Sequence, residues 1–156
     1  MADADDTRRR IGVRVPDEDG TGPDTVETLW ASPLGRDAWS LDNSPFEAYS
    51  LSWLDTVHAP PDPELRMPLV ERVLAKSGHR TVRAVAPSRA RGERDVARPM
   101  RALGCTTEDV DGVLFAIDVP AEVDLGEVAR ALTDADIVWE HADPTYEALY
   151  GDDEPD

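Results

Sequence analysis

Residues 112–119 have the sequence GVLFAIDV, and this stretch decides how the second half of the chain folds. A strand with one solvated face alternates apolar and polar residues, whereas a strand covered on both faces is apolar almost throughout. Within 112–119 the charged residue is Asp118, and the rest is apolar or glycine. We therefore predict a buried strand here, in a sheet that is covered on both faces.

A helix is predicted before this strand, at residues 90–103. Gly104 is placed to cap its C-terminus, and Pro99 implies a kink or a late start because proline lacks a backbone N–H. The apolar face of this helix consists of Val96, Met100 and Leu103.

A second helix is predicted to begin at Asp124, where Glu127 follows three residues later in a variant of the capping box. Its buried stripe is formed by Leu125, Val128 and Leu132. Strands at 80–86 and 137–139 flank this region, and Asp143-Pro144 opens a final short helix. The order β-α-β-α-β is an incomplete ferredoxin-like pattern.

The first half of the chain has the pattern of short β-strands. Apolar and polar residues alternate at 11–15, 25–30 and 38–42, and a shorter strand is predicted at 55–59. Residues 67–76 fit both a helix and a strand; the turn at Gly78 and the β-rich stretch after it favour a hairpin. Short strands separated by turns predict a small curled or barrel-like antiparallel sheet.

These patterns together predict an α+β fold in a single compact unit. We expect a disordered N-terminus at 1–10 and a β-rich half at 11–86. A ferredoxin-like α/β half follows at 87–150, and the chain ends in an acidic tail at 151–156.

The charge of the chain is large and unevenly distributed. The formal net charge is −17, and residues 134–156 carry nine acids and no base, whereas 66–101 carry ten bases and three acids. So acidic a chain is a poor general binder of nucleic acid or of an anionic membrane. No apolar run is long enough for an export signal or a membrane span, and a single cysteine, Cys105, fits a reducing cytoplasm.

Two short motifs, Leu29-Trp30-Ala31 and Asn43-Ser44-Pro45-Phe46, stand in a characteristic order. On these motifs the chain resembles an uncharacterised bacterial family, a domain of unknown function marked by LWA and N-x-P-F. The resemblance extends over residues 11–142 and implies no catalytic residue or cofactor. Structurally, Trp30 and Phe46 are expected to anchor the first core and Asn43 to form a turn. A binding groove edged by Trp30 and Asn43 is the alternative.

Reactive residues do not form a recognised constellation in the sequence. The three histidines, among them His79 and His141, lack metal-ligand spacing, and no phosphate-binding glycine loop occurs. Residues 77–80 (SGHR) are expected to form an exposed β-turn, or else His79 and Arg80 present a cationic handle there, facing Asp55. We predict no metal site and no cofactor.

Four arginines recur at helical spacing between positions 91 and 101 and would form one stripe on an unbroken helix. The stripe is either a solvated face or a surface for an acidic partner, and RNA contact is a weaker third reading because no aromatic series accompanies it. These arginines are Arg91, Arg94, Arg98 and Arg101.

Two functional hypotheses follow from this sequence. The leading one is a noncatalytic protein-binding module, such as an acidic inhibitor or immunity-type partner of a basic protein. The alternative is a small-molecule-binding protein or an enzyme with a cleft between the two halves, which leaves the question of catalysis open. The residues expected to converge on that cleft are Trp30, Asn43, Asp55, His79 and Arg80.

Overall fold

The structure, a computed structural model, describes residues 7–151. Within this range the chain forms two compact units. The first comprises 7–48 and Ser52–Ser77, and the second comprises Tyr49–Leu51 and 78–151. The predicted acidic residues 152–156 and the predicted disordered residues 1–6 lie outside the described residues.

The first unit is built on one antiparallel sheet and a small two-stranded ribbon. The sheet has the order β1-β2-β3-β4-β7, and β5 pairs with β6 in the ribbon. Its strands are β1 (Arg9–Val15), β2 (Thr25–Gly35), β3 (Ala38–Leu41), β4 (Thr56–His58), β5 (Pro61–Asp62), β6 (Met67–Pro68) and β7 (Arg72–Ala75). The predicted pairing of the strand at 38–42 with the strand before it is confirmed by the β2–β3 ladder.

Strand β1 starts earlier than the sequence suggested. Arg9 pairs with Ala31 and Arg10 with Trp30. Both arginines fall within the predicted disordered terminus, since they belong to a charged run without apolar periodicity. Their backbone groups extend the ladder all the same, since strand pairing does not depend on side-chain polarity.

Residues 67–76 are extended, as expected, but the expected hairpin is wrong. Strand β7 pairs with β4, with Val57 opposite Val73. Just before β7, Val70 N donates to Gly12 O at 2.8 Å, so this segment also reaches β1. Gly12 allows that approach, because a Cβ at this position would lie 3.2 Å from the sulfur of Met67.

The second unit has the order strand, helix, two strands, helix, strand, then a short helix. Its antiparallel sheet runs β11-β8-β10-β9. The elements are β8 (Arg80–Val85), a helical segment of α1 (Arg89–Arg91), a π-helical turn (Gly92–Ala97) and α2 (Arg98–Leu103), then β9 (Thr106–Val110), β10 (Leu114–Val119), α3 (Leu125–Asp134), β11 (Val138–Asp143) and α4 (Tyr146–Tyr150). Mostly antiparallel sheets with few helices confirm the α+β class.

The boundary between the units differs from the predicted one at 86/87. Strand β8 pairs with β10 on one side and β11 on the other, so it is a central strand of the second unit. Strand β9 is not predicted from the sequence, because its residues TTEDV are polar and lie at an exposed edge. An edge strand needs no apolar face, and periodicity therefore gives little signal there.

The core of the second unit confirms the apolar faces read from the sequence. Strand β10 is buried from Phe115 to Val119, as expected for a strand covered on both faces. Asp124 caps α3 by accepting from Gly126 N at 3.2 Å. Each fully buried large apolar side chain contributes about 1.5–3 kcal/mol. The cluster includes Val82, Val96, Met100, Phe115, Ile117, Val128 and Leu132.

The irregularity expected from Pro99 takes the form of a π-helical turn. Pro99 has no N–H to donate to the carbonyl of Asp95, and Arg98 N donates five residues back, to Glu93 O. The turn begins at Gly92, and a side chain does not fit at this position, because a Cβ would lie 2.1 Å from Gly112 O. The wider turn changes the angular spacing of the helix residues that follow it.

Candidate functional site

The two motif segments are hydrogen-bonded to each other within the first unit. Trp30 N donates to Asn43 Oδ1 at 2.7 Å, and Asp42 N donates to Trp30 O at 2.8 Å. The ring of Trp30 is 40% exposed, which corrects its expected place in the core. It lies on the strand face opposite to that of its buried neighbours, and the guanidinium of Arg10 lies 5.0 Å from its ring centre.

Glu27 holds the loop of the second motif and was not singled out from the sequence. Its carboxylate accepts from the backbone N–H groups of Phe46 at 2.6 Å, Glu47 at 3.2 Å and Ala48 at 2.8 Å. Phe46 is half-buried. The carboxylate therefore satisfies three backbone donors of the loop. Because about 20 residues separate Glu27 from this loop, no local sequence pattern predicts the contact.

Asp55 is fully buried and fully engaged. Its carboxylate accepts from Lys76 Nζ at 2.5 Å, from Ser77 N at 2.8 Å and from Ser52 N at 2.9 Å. We call Asp55 with these three donors the Asp55 cluster. These hydrogen bonds connect the loop before β4 to the end of the first unit, so the role of Asp55 is structural.

His79 pairs with Asp118 inside the second unit. His79 Nδ1 lies 2.9 Å and 3.0 Å from the two carboxylate oxygens. Burial raises the pKa of Asp118, although the nearby imidazole opposes that shift. Burial also raises the pKa of Cys105 to about 11, so this sulfur is a thiol at neutral pH and a poor nucleophile.

Arg80 stabilises a turn rather than presenting a free cationic handle. Its guanidinium donates to Pro120 O at 2.7 Å and also to Val123 O. Of the five residues expected at the cleft, Trp30 and Asn43 are bonded together, and Asp55 belongs to its own cluster. His79 and Arg80 have separate partners in the second unit. A cleft between the halves stays a prediction.

The arginine stripe is divided by the π-helical turn and by ion pairs within the helix. Arg91 Nε and Arg94 Nε lie 2.7 Å and 3.2 Å from Asp95, and Arg101 lies 2.7 Å from Glu93. The guanidinium groups of Arg94 and Arg91 lower the pKa of Asp95 to about 2. Arg98 is exposed. The predicted stripe required an unbroken helix, and the π-helical turn interrupts it; whether these arginines form a solvated face or a surface for an acidic partner stays a prediction.

A cavity of about 710 Å³ lies in the second unit, between β11, α4 and Tyr49. We call it the aromatic pocket. Three aromatic side chains, one imidazole and two carboxylates surround it. The lining residues are Tyr49, Trp139, Glu140, His141, Thr145, Tyr146 and Glu147.

The aromatic walls of the pocket are held in place by neighbouring groups. Trp139 Nε1 donates to Thr133 Oγ1 at 3.0 Å, and its ring meets the ring of His141 edge-to-face at 4.8 Å. Tyr146 packs against Tyr150 with ring centres 4.9 Å apart. The rings of Trp139 and Tyr146 are thus oriented before any ligand arrives.

Glu140 is already satisfied by protein donors. Tyr49 Oη donates to the Glu140 carboxylate, 2.8 Å and 2.9 Å from its two oxygens, and the Arg83 Nε donor lies 3.0 Å from Oε2. The guanidinium of Arg83 also lies 4.4 Å from the ring centre of Tyr49. Burial and the neighbouring carboxylate raise the pKa of Tyr49, which keeps it a neutral phenol.

His141 and Glu147 are the pocket groups left for a ligand. His141 is nine-tenths buried, and within residues 7–151 its ring nitrogens make no hydrogen bond. Burial lowers its pKa, so the imidazole is neutral at pH 7. The Glu147 carboxylate is exposed and makes no ion pair with any other described residue. In the sequence this region is notable for its acidic residues, and no local pattern there indicates that its aromatic residues converge.

Two further features bear on the kind of site. Across residues 7–151, no set of three or more histidine, cysteine, aspartate or glutamate side chains is arranged to bind a metal ion. In the same range, every helix is too short or too polar to cross a bilayer.

The fold and the pocket define an α+β protein with two larger antiparallel sheets, a two-stranded ribbon and an aromatic, carboxylate-bearing cavity. The chain belongs to the family described as domain of unknown function (DUF4265), whose model matches residues 27–141. This confirms the expected membership of an uncharacterised family.

The structure is also similar to that of another protein. A hypothetical protein from Neisseria gonorrhoeae, known from a crystal structure, matches with a TM-score of 0.74 and 12% sequence identity, over 89% of this chain and 96% of that chain. At this identity the likeness concerns the fold alone. No curated protein matches the sequence.

Proposed function

We propose that this chain is a noncatalytic protein-binding module, an acidic inhibitor or immunity-type partner of a basic protein. A basic segment of that partner would dock at the aromatic pocket. The observation that carries the proposal is the pocket itself, about 710 Å³ in volume, with aromatic walls and two carboxylates. Cations are attracted both to carboxylates and to the negative faces of aromatic rings.

The overall charge supports the same choice of partner. The net charge of −17 favours encounters with basic surfaces and disfavours acidic ones. Rates of association would therefore fall as ionic strength rises, because salt screens the long-range attraction.

The bonding of the other candidate residues supports a noncatalytic reading. Asp55 and Arg80 are tied to backbone groups and to neighbouring side chains. Cys105 is buried and its high pKa keeps it a thiol. The His79–Asp118 pair is the most reactive arrangement among these residues, and it would need a nucleophile from elsewhere to act in acyl transfer.

A titration of the full chain with synthetic peptides tests the proposal. We expect a peptide rich in lysine and arginine to bind, and a peptide with glutamate at those positions not to bind. Glu147→Gln should weaken the basic peptide by about threefold to tenfold, because one unpaired carboxylate is lost from the pocket. Isothermal titration calorimetry at low and high salt gives both comparisons.

Glu64→Gln is the matched control. Glu64 is exposed, lies in the first unit and does not line the pocket, yet its substitution changes the net charge equally. Equal loss in the two variants would mean that only overall charge matters. Absence of any charge preference among the peptides would refute the proposal.

The finer architecture belongs to the same proposal. The β-α-β-β-α-β order with the sheet order β11-β8-β10-β9 supports a ferredoxin-like second unit. The bridge between Gly12 and Leu69 supports a barrel-like first unit, because it brings the segment before β7 to β1. We place the module in the cytoplasm, and a single buried cysteine supports that placement.

A further inference from the structure

We infer that the aromatic pocket is a binding site for an alkyl guanidinium group, supplied by an arginine side chain of the basic partner. The inference deepens the proposed function and rests on it for the source of the guanidinium. It follows from the walls of the pocket, from the state of its two carboxylates and from its buried imidazole.

The walls suit a flat, weakly hydrated cation. Trp139 and Tyr146 line the pocket, and both rings are held by other residues, through the Thr133 hydroxyl and the Tyr150 ring. A guanidinium can stack on an aromatic ring while its alkyl stem covers apolar surface.

One carboxylate is neutralised and the other is not. Glu140 is held by Arg83 and Tyr49, so it contributes little net charge to an incoming ligand. Glu147 makes no ion pair within the described chain and remains to receive the positive charge.

His141 supplies the independent indication of a ligand. It is nine-tenths buried, lines the pocket and makes no hydrogen bond to any residue in 7–151. Its ring nitrogens are not among the described side-chain atoms that are both sealed from solvent and unbonded, so they are reachable from the pocket and can bind a ligand there. A neutral imidazole always offers one acceptor nitrogen, whichever tautomer it adopts.

The number and arrangement of acceptors favour guanidinium over ammonium. A guanidinium has a planar fork of donors that can reach Glu147 and His141 together while its face lies on an aromatic ring. An ammonium is a compact and strongly hydrated charge, and it would lose more hydration on entering an aromatic cavity.

The test compares a matched pair of small probes on the full chain. N-acetyl-L-arginine methylamide and N-acetyl-L-citrulline methylamide have nearly the same shape, but only the first is charged. We expect the arginine probe to shift the NMR signals of the Trp139 indole N–H and the His141 ring, and to bind about tenfold more tightly than the citrulline probe. N-acetyl-L-lysine methylamide should bind more weakly than the arginine probe. Tyr146→Leu, which removes a ring face but keeps apolar volume, should weaken the arginine probe.

The remaining outcomes distinguish a failure of the guanidinium site from a failure of the proposed protein-binding function. Equal binding of the arginine and citrulline probes, or arginine binding that leaves the Trp139 and His141 signals unmoved, overturns the inference. An all-lysine peptide that binds the chain as tightly as an all-arginine peptide also overturns it and leaves the proposed function intact. If the arginine probe binds in the pocket but arginine peptides gain no affinity over it, the site stands and the protein-binding function fails.

Discussion

The Asp55 cluster and the aromatic pocket differ in whether their polar groups are bonded to other parts of the protein. Asp55 is fully buried, and three protein donors satisfy it. In the pocket, His141 is nearly as buried but makes no hydrogen bond within residues 7–151, and Glu147 makes no ion pair there. A satisfied buried group holds the fold together, whereas an unsatisfied one is available to a ligand. Chemical type alone does not separate these two roles.

The largest expected effect is on stability and concerns Asp55, the buried carboxylate whose hydrogen bonds are satisfied. Asp55→Ala should lower the free energy of unfolding by about 3–5 kcal/mol, because it leaves two backbone donors without an acceptor, each at a cost of about 1–3 kcal/mol, and removes the partner of Lys76. Urea denaturation measures this. Lys76→Met should cost less, since the Lys76 side chain is 46% exposed and can be replaced by water. Equal losses in both variants would contradict the view that Asp55 organises the cluster.

A smaller effect is expected at Glu140, the pocket carboxylate that resembles Asp55 in being satisfied. Glu140→Gln keeps an acceptor for Tyr49 but removes the charge opposite the buried Arg83. We expect the free energy of unfolding to fall by about 1–2 kcal/mol in urea denaturation. A variant as stable as the native chain would show that Arg83 does not depend on this carboxylate.

Tyr146 should affect binding and leave stability nearly unchanged. It is partly exposed, and Tyr146→Ala should change the free energy of unfolding by less than about 0.5 kcal/mol. Affinity for a basic peptide should fall by about tenfold, through loss of a ring face. Tyr146→Phe is the control, because it retains the ring and should retain the affinity measured by calorimetry.

The smallest expected effect is a pH dependence that comes from His141. Burial lowers its pKa below the ordinary 6.5, so the unfolded chain takes up the proton first as pH falls. Stability from the neutral imidazole is therefore present above pH 6.5 and is lost as pH falls below it. A protonated His141 would also repel a cationic ligand. The ionisable groups around it are Glu140, Glu147, Tyr49, Tyr146 and Tyr150.

Comparison with His141→Gln isolates this contribution. Between about pH 7.5 and about pH 5.5, affinity of the native chain for the basic peptide should fall by roughly threefold, whereas the glutamine variant should stay flat. Parallel pH profiles for the two proteins would exclude His141 as the titrating group.

Much of the fold could be predicted because short-range patterns in the sequence indicate which residues are buried. The apolar run at 112–119 is buried in the structure, and so are the apolar stripes of the two longer helical segments. Strand β9 was missed because a polar edge strand has no apolar period. The pairing of β7 was mistaken because a turn at Gly78 is equally compatible with a hairpin and with a boundary between units.

The candidate site was harder to predict than the fold. Asp55, Asn43 and Arg80 were chosen for their chemistry, and the structure shows them bonded to nearby protein groups. In the pocket, Tyr49 contacts Glu140, which lies about 90 positions later in the chain, and no local sequence pattern predicts such a contact.

The sequence by itself determined the α+β class, the buried strand at the centre of the second unit, the family and the strong negative charge, because each depends on composition or on short-range order. The tertiary structure alone decided which polar groups are satisfied. Hydrogen bonding depends on distances between residues far apart in the chain, so the contrast between a saturated Asp55 and an open His141 arises only once the chain has folded.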